Sequence, residues 1–150
     1  MRALIQRVSK ASVSIGGEVK SDISRGFLIL LGIGKTDGPE DIEYLAKKIS
    51  GLRIFEDDQG KMNLNLSQVG GEILLVSQFT LYADARRGNR PGFSDAAGPD
   101  LAVPLYEEMI AKLKAYDIRV STGEFGADMQ ISLVNDGPVT ILLDSSDKKK

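Results

Sequence analysis

Seven consecutive residues, Phe27-Leu28-Ile29-Leu30-Leu31-Gly32-Ile33, present no polar side chain to either face of an extended chain. Such a strand has to be covered on both sides, which predicts a sheet running through the middle of the molecule. With 150 residues there is room for one such core and not for two. The flanking pattern fits around this centre. Residues 3–8 and 11–15 read as two strands, the second alternating Val13 and Ile15 with Ser12 and Ser14. Gly16-Gly17 forms a hairpin-type turn into a short segment over residues 19–23. After Gly38-Pro39, Ile42, Leu45, Ala46 and Ile49 share one helical face, with Glu40 and Asp41 at the start, Lys47 and Lys48 at the end and Gly51 after them. Residues 101–116 form a second helix, with Leu105, Met109, Ile110 and Leu113 on one side and Pro104 in its first turn. Strands are expected over 52–55, 73–79, 118–121, 130–134 and 139–143, and a long polar loop over 83–99. The fold class is α/β: a single domain with a largely antiparallel or mixed sheet and two main helices. It occupies residues 1–144 and leaves 145–150 as a flexible tail.

Composition then limits the chemistry. The chain has no His, no Cys and no Trp. Disulfides, thiolate nucleophiles and Ser-His-Asp triads are therefore excluded, as are zinc sites built from Cys or His. Neither a metal nor a cofactor is expected. Catalysis is left to backbone dipoles, hydroxyls, carboxylates, Lys and Arg, or to groups brought by the substrate. A net charge of −2 argues against a general nucleic-acid-binding field, although local basic clusters could hold a few phosphates. The N-terminal stretch does not read as a signal peptide and the longest apolar run is too short to span a membrane, so a cytoplasmic location and no membrane partner are expected.

Three segments carry candidate chemistry. Ser77-Gln78-Phe79-Thr80-Leu81 ends a buried strand just before the long loop. An ester carbonyl set against Phe79 and Thr80 would meet aligned amide donors, the form an oxyanion hole takes; alternatively, Ser and Thr merely end the strand. Asn135-Asp136-Gly137-Pro138-Val139-Thr140 has the composition of a hairpin turn. A cis Gly137-Pro138 bond would instead align neighbouring carbonyls, which could test the configuration of a carbon bearing an ammonium group. Arg86-Arg87-Gly88-Asn89-Arg90-Pro91-Gly92-Phe93 is either a solvated loop or a phosphate clamp for the end of a nucleic acid. The Gly pairs match no Walker or dinucleotide fingerprint and read as turns.

These segments together resemble the bacterial D-aminoacyl-tRNA deacylases of the D-tyrosyl-tRNA deacylase type. The likeness runs from Met1-Arg2-Ala3-Leu4-Ile5-Gln6-Arg7-Val8 through Ser77–Leu81 and Gly126-Ala127-Asp128-Met129-Gln130 to Asn135–Thr140. It implies a homodimer, joined through the sheet region, that cleaves the ester between a D-amino acid and the 3′-terminal adenosine of tRNA. Glycine mischarged onto tRNA for alanine would be a further substrate. It also implies that Gly137-Pro138 is cis and enters the partner's pocket to reject L-residues. Phe79 and Thr80 would supply amide donors, with Ser77 and Gln78 supporting the pocket, and the ribose 2′-hydroxyl would assist. Met129, Phe93, Arg86, Arg87 and Arg90 would contact substrate or tRNA. Two rivals remain. One is an editing module like that of archaeal threonyl-tRNA synthetases; the other is a dimeric nucleic-acid-binding protein without deacylase activity.

Overall fold

The computed structural model describes residues 1–149. In chain order they form β1 (Arg2–Ile15), β2 (Glu18–Ile23), β3 (Gly26–Gly32), α1 (Pro39–Gly51), β4 (Phe55–Glu56) and β5 (Met62–Leu64). A one-turn α2 (Leu66–Val69), β6 (Glu72–Ser77), α3 (Pro99–Ala115), β7 (Val120–Thr122) and β8 (Gln130–Asp144) complete the domain. Six strands make one mixed sheet in the order β2-β1-β3-β6-β7, with β8 also paired to β1, while β4 and β5 form a small separate ribbon. β1 runs antiparallel to β2, β3 and β8; β6 lies parallel to both β3 and β7.

The doubly apolar run is the buried centre the pattern predicts. Phe27, Leu28, Ile29 and Leu31 are all at most 1% exposed. Alternation sends Phe27, Ile29 and Leu31 towards α1 and α3, where they meet Ile42, Leu45, Met109 and Leu113. Leu28 faces the opposite way, into a second cluster with Val8, Val13, Leu74 and Val76. Both principal helices begin with Pro at N1 or N2 after an extended Gly cap, a position that needs no proline N–H.

Residues 2–15 are one continuous strand, not the two expected. Ala3, Ile5 and Arg7 face the helical core, whereas Val8, Ala11 and Val13 face the second cluster or its edge. The change of face is a bulge: Val8 pairs with Asn135 and Lys10 with Val134, so two steps along β1 match one along β8. The exposed Ser9 and Lys10 that look like a break in the sequence mark this crossing of faces.

Another difference lies at the C-terminus. Ser145–Lys149, expected to fray, form a 3₁₀ helix packed on the domain. The Met1 α-ammonium donates to Ser145 Oγ at 2.7 Å and to Asp37 Oδ1 at 2.8 Å. Lys148 Nζ donates to Asp41 Oδ1 at 2.7 Å and Asp41 Oδ2 accepts from the Gly38 amide at 2.8 Å. Burial opposes ionisation of Asp41, but the bonds from Lys148, Gly38 and Ser145 outweigh it and bring its pKa down to about 2.

Two predictions follow from these packings. A Cβ on Gly26 would lie 1.8 Å from the Glu72 carbonyl oxygen, so parallel pairing of β3 with β6 requires glycine there. Gly26→Ala is expected to cost several kcal/mol, roughly 3 or more, read as a lower urea midpoint. Asp41 has a folded pKa below its unfolded value of about 3.9, so its stabilisation is complete above about pH 4 and is lost as pH falls towards 2. Asp41→Asn should lower stability at pH 7 by up to about 2 kcal/mol and flatten stability against pH over that acid range.

Candidate functional site

β6 delivers the first candidate segment. The ladder with β3 pairs Leu31 with Ser77 and continues one step further through the Gln78 amide, which donates to the Leu31 carbonyl at 2.8 Å. The chain then turns. Phe79–Tyr82 form a 3₁₀ helix, in place of the last strand residues expected to reach Phe79. Its bonds run back from Leu81 N to the Gln78 carbonyl (3.3 Å) and from Ala83 N to the Thr80 carbonyl (3.1 Å). The first amides of such a turn have no internal acceptor. Among the described residues, no group accepts from the amides of Phe79 and Thr80.

The turn rests on glycine. A Cβ on Gly32 would lie 3.0 Å from Leu81 Cβ and 3.1 Å from the Gln78 carbonyl oxygen, while one on Gly34 would lie 3.1 Å from the Tyr82 ring. Side chains larger than hydrogen there would push the turn off the sheet. The Gln78 side-chain amide donates to the Thr80 hydroxyl oxygen. Thr80 Oγ1 is therefore held by an amide, which cannot take its proton. Burial, reinforced by the Asp37 carboxylate, raises the Tyr82 pKa and keeps its phenol neutral.

Phe79 is 54% exposed and meets the edge of Phe93, with ring centroids 5.0 Å apart. This contact brings the arginine loop up to the strand end. The loop is closed by paired 2.8 Å bonds between Asp84 and Gly92. Its three arginines are not equivalent. Arg86 grips Asp84 in a fork, Nε at 2.9 Å and Nη2 at 2.8 Å, and its own amide donates to the same carboxylate at 3.0 Å. The Arg86 side chain and amide hold the Asp84 pKa down at about 2. Arg87 and Arg90 are exposed and have no ion-pair partner among the described residues. A cavity of about 440 Å³ lies between these arginines, Ser94 and Asp95.

The second segment is not a hairpin. Residues 130–144 form a single strand, and its two halves pair with the same partner in the same direction. Gln6 pairs with Thr140 and Val8 with Asn135, so β8 takes five steps where β1 takes two. The surplus, centred on Gly137 and Pro138, stands out from the sheet as an exposed bulge. Its Gly137-Pro138 bond is cis. Asn135 closes the base, accepting from the Val139 amide at 3.0 Å and donating to Thr140 Oγ1 at 2.9 Å.

Arg7 supports the bulge from beneath, a role the motifs do not announce. It is 5% exposed and donates to the Ile54 carbonyl at 2.6 Å and the Asp136 carbonyl at 3.1 Å. Its Nη2 would come within 3.1 Å of a Cβ on Gly137. One signal was available: Arg7 continues the alternation of Ala3 and Ile5 and so falls on the buried face of β1.

Within one chain the segments lie far apart. Ser77 shares a row with Leu31, Ala3 and Leu143, whereas the bulge begins past the row of Leu74, Leu28, Gln6 and Thr140. That is roughly 10 Å along the strands and, over three strand spacings, about 14 Å across them. Met129 is half-buried against the second cluster, with its sulfur beside Gly123. Phe93, Phe79, Thr80 and Gln78 come together; Gly137 and Pro138 do not join them.

A mixed sheet backed by two helices, with two unpartnered amides in the turn that follows β6, makes this a small single-domain α/β protein. Residues 4–144 match the model of the D-Tyr-tRNA(Tyr) deacylase family, and the chain belongs to that family. It is 59% identical to a D-aminoacyl-tRNA deacylase of Thermosipho africanus over 97% of both chains. A protein of the same description from Lacticaseibacillus casei is 57% identical over 99% of this chain and 100% of its own. Among solved structures, the c-Myc DNA unwinding element binding protein superposes with a TM-score of 0.90 at 41% identity, covering 96% of this chain and 98% of that one. The fold is also that of a probable eukaryotic D-amino acid tRNA deacylase, with a TM-score of 0.78 at 15% identity, covering 95% of this chain and 97% of that one.

The bulge geometry makes its own prediction. Gly137 has φ 133°, and a Cβ there would lie 2.7 Å from Val139 Cγ2. Gly137→Ala should therefore destabilise the fold by about 1–3 kcal/mol. Arg7→Met leaves the buried Ile54 carbonyl without its donor and should cost about 1–3 kcal/mol. Both are read from thermal melts.

Proposed function

We propose that the protein hydrolyses the ester linking a D-amino acid to the terminal ribose of tRNA, with main-chain amides in place of a side-chain nucleophile. The observation that carries this reading is the pair of unpartnered amides at Phe79 and Thr80, held rigidly at a strand end. A water attacks the ester carbonyl, negative charge develops on its oxygen, and the two N–H groups receive it. The bond to the ribose oxygen then breaks, and that oxygen takes the proton given up by the water. The neighbouring 2′-hydroxyl orients the water. Aminoacyl esters are labile enough for positioning and charge stabilisation to suffice. Ser77 and Gln78 shape the pocket, and Met129 lines it.

Selection against L-residues is assigned to the carbonyls of Gly137 and Pro138. Because the bulge and the strand end are separated within one chain, the reading requires a second copy to bring its Gly137-Pro138 to Phe79 and Thr80. The active form is accordingly a homodimer working in the cytoplasm. Glycine, lacking a side chain, escapes this filter and is also released. Arg87 and Arg90 are the phosphate contacts for the tRNA end, while Arg86, already spent on Asp84, orders the loop.

A second reading, a nucleic-acid-binding protein without deacylase activity, draws support from the two unpaired arginines and from the DNA-binding description of the relative at 41% identity. Incubation with D-Tyr-tRNA and L-Tyr-tRNA separates the two. Release from the D-ester alone is expected; tight binding with no release from either would establish the second reading. Thr80→Ala should retain turnover within about tenfold and trap no acyl-enzyme, whereas an adduct on wild-type Thr80 would replace the amide mechanism. The double variant R87A/R90A should raise KM for full-length tRNA and flatten the log–log salt dependence by roughly 1–2, with kcat unchanged.

A further inference from the structure

The entry to the Phe79–Tyr82 turn is fixed by the sheet, through the Gln78 amide on the Leu31 carbonyl. Nothing in the motif explains what fixes its exit. Two contacts from one residue of β1 converge there, and a third, to the end of β8, orients it. Arg2 Nη1 donates to the Leu81 carbonyl at 2.7 Å. Its guanidinium lies 4.5 Å from the centre of the Tyr82 ring. Its Nε reaches Asp144 Oδ2 at 3.3 Å, which fixes the plane of the fork. On its Gly34 side, Tyr82 lies within 3.1 Å of the place a Cβ would take. Gly34 in turn is held by its amide donating to Asp37 Oδ2 at 2.6 Å.

We propose that Arg2 is a positioning residue for ester cleavage, clamping the Leu81 carbonyl and the Tyr82 ring so that the Phe79 and Thr80 amides stay aimed at the substrate. The inference rests on the assignment of those amides as the oxyanion donors. A four-residue turn has too few internal bonds to hold its own shape; it keeps one geometry only if both ends are anchored. Arg2 supplies the second anchor with a planar fork that a single point charge does not reproduce. Since the guanidinium touches the peptide and not the substrate, its loss should appear in kcat and leave KM alone.

The test uses the full-length protein with D-Tyr-tRNA and compares wild type, Arg2→Met and Arg2→Lys. Hydrogen exchange is followed at the Leu81 and Ala83 amides, whose bonds close the turn. Arg2→Met keeps the apolar stem and removes every donor. It should lower kcat about five- to tenfold, the loss of one to two hydrogen bonds, with KM within about twofold and faster exchange at both amides. Arg2→Lys keeps one donor for the Leu81 carbonyl and should recover about half or more of the lost rate. Wild-type kcat with wild-type exchange in Arg2→Met would overturn the clamp and leave the proposed deacylase function standing. Faster exchange with wild-type kcat would overturn both the catalytic role of Arg2 and the assignment of the Phe79 and Thr80 amides. Should Arg2→Met fold poorly, Tyr82→Leu removes the stacked ring instead, and the same pairing of kcat with exchange decides the question.

Discussion

Everything at the candidate site hangs on the backbone pairing of β1. One edge of this strand carries β8 along nearly its whole length, from Arg2 opposite Asp144 to Ser14 opposite Gln130. The other edge is divided, its first half against β3 and its second against β2. Because β3 in turn carries β6, the register of β1 fixes both the row at which β6 ends and the point at which β8 bulges outward. A one-residue slip in β1 would move both features and send the buried residues of the strand to the wrong faces. The same strand also supplies the two arginines beneath them. Arg2 reaches the carbonyl of Leu81, and Arg7 reaches those of Ile54 and Asp136.

These arginines show how a chain without imidazole or thiol can still hold a polar site firmly. Arg2 and Arg7 each donate to main-chain carbonyls and so fix the shape of a loop, and each also has a carboxylate beside it, Asp144 Oδ2 at 3.3 Å and Asp136 Oδ2 at 3.6 Å. The Arg7 fork is nearly sealed from water, where an unmet carbonyl is costly, whereas Arg2 is half-exposed and gains part of its hold from the face of Tyr82. The loop arginine Arg86 follows the same logic with Asp84 as its partner. Of the cations around the strand end, only those left unspent by the fold are available to meet an external anion. That is a physical reason to treat Arg87 and Arg90 differently from Arg86, although all three sit within five residues.

Much of this was legible in the amino acids. The apolar run at 27–33, the stripe of Ile42, Leu45, Ala46 and Ile49, and the turn at Gly16-Gly17 each report a local constraint, and each is where the periodicity put it. The motifs Ser77–Leu81 and Asn135–Thr140 could be picked out, and their resemblance to a family gave the family correctly. What could not be read were features set by long-range register. Ser9 and Lys10 look like a break because a bulge changes which face is buried. Asn135–Thr140 looks like a hairpin because its composition is that of a turn, and only pairing of both flanks to β1 identifies it as a bulge in one strand. Residues 145–149 look like a loose tail because nothing local shows that Lys148 meets Asp41, 107 positions away. Arg2 and Arg7 lie in the N-terminal segment that shares the family likeness, but nothing in it announces the carbonyls they reach.

The separation of the two motifs within one chain bears directly on how the proposed reaction would be organised. Residues that receive charge must be stiff, and the strand end is built that way, with its entry tied to β3 and its exit to β1. Residues that sort configuration must reach across open space to the reacting carbon, which calls for an exposed projection braced at its base. The bulge has that form, with Gly137 and Pro138 exposed and Asn135 and Arg7 bracing them from below. Placing the two parts three strands apart on one sheet lets the fold of each chain set each part independently. On the proposed reading, association of two copies then completes the pocket, and selectivity becomes a property of the interface geometry.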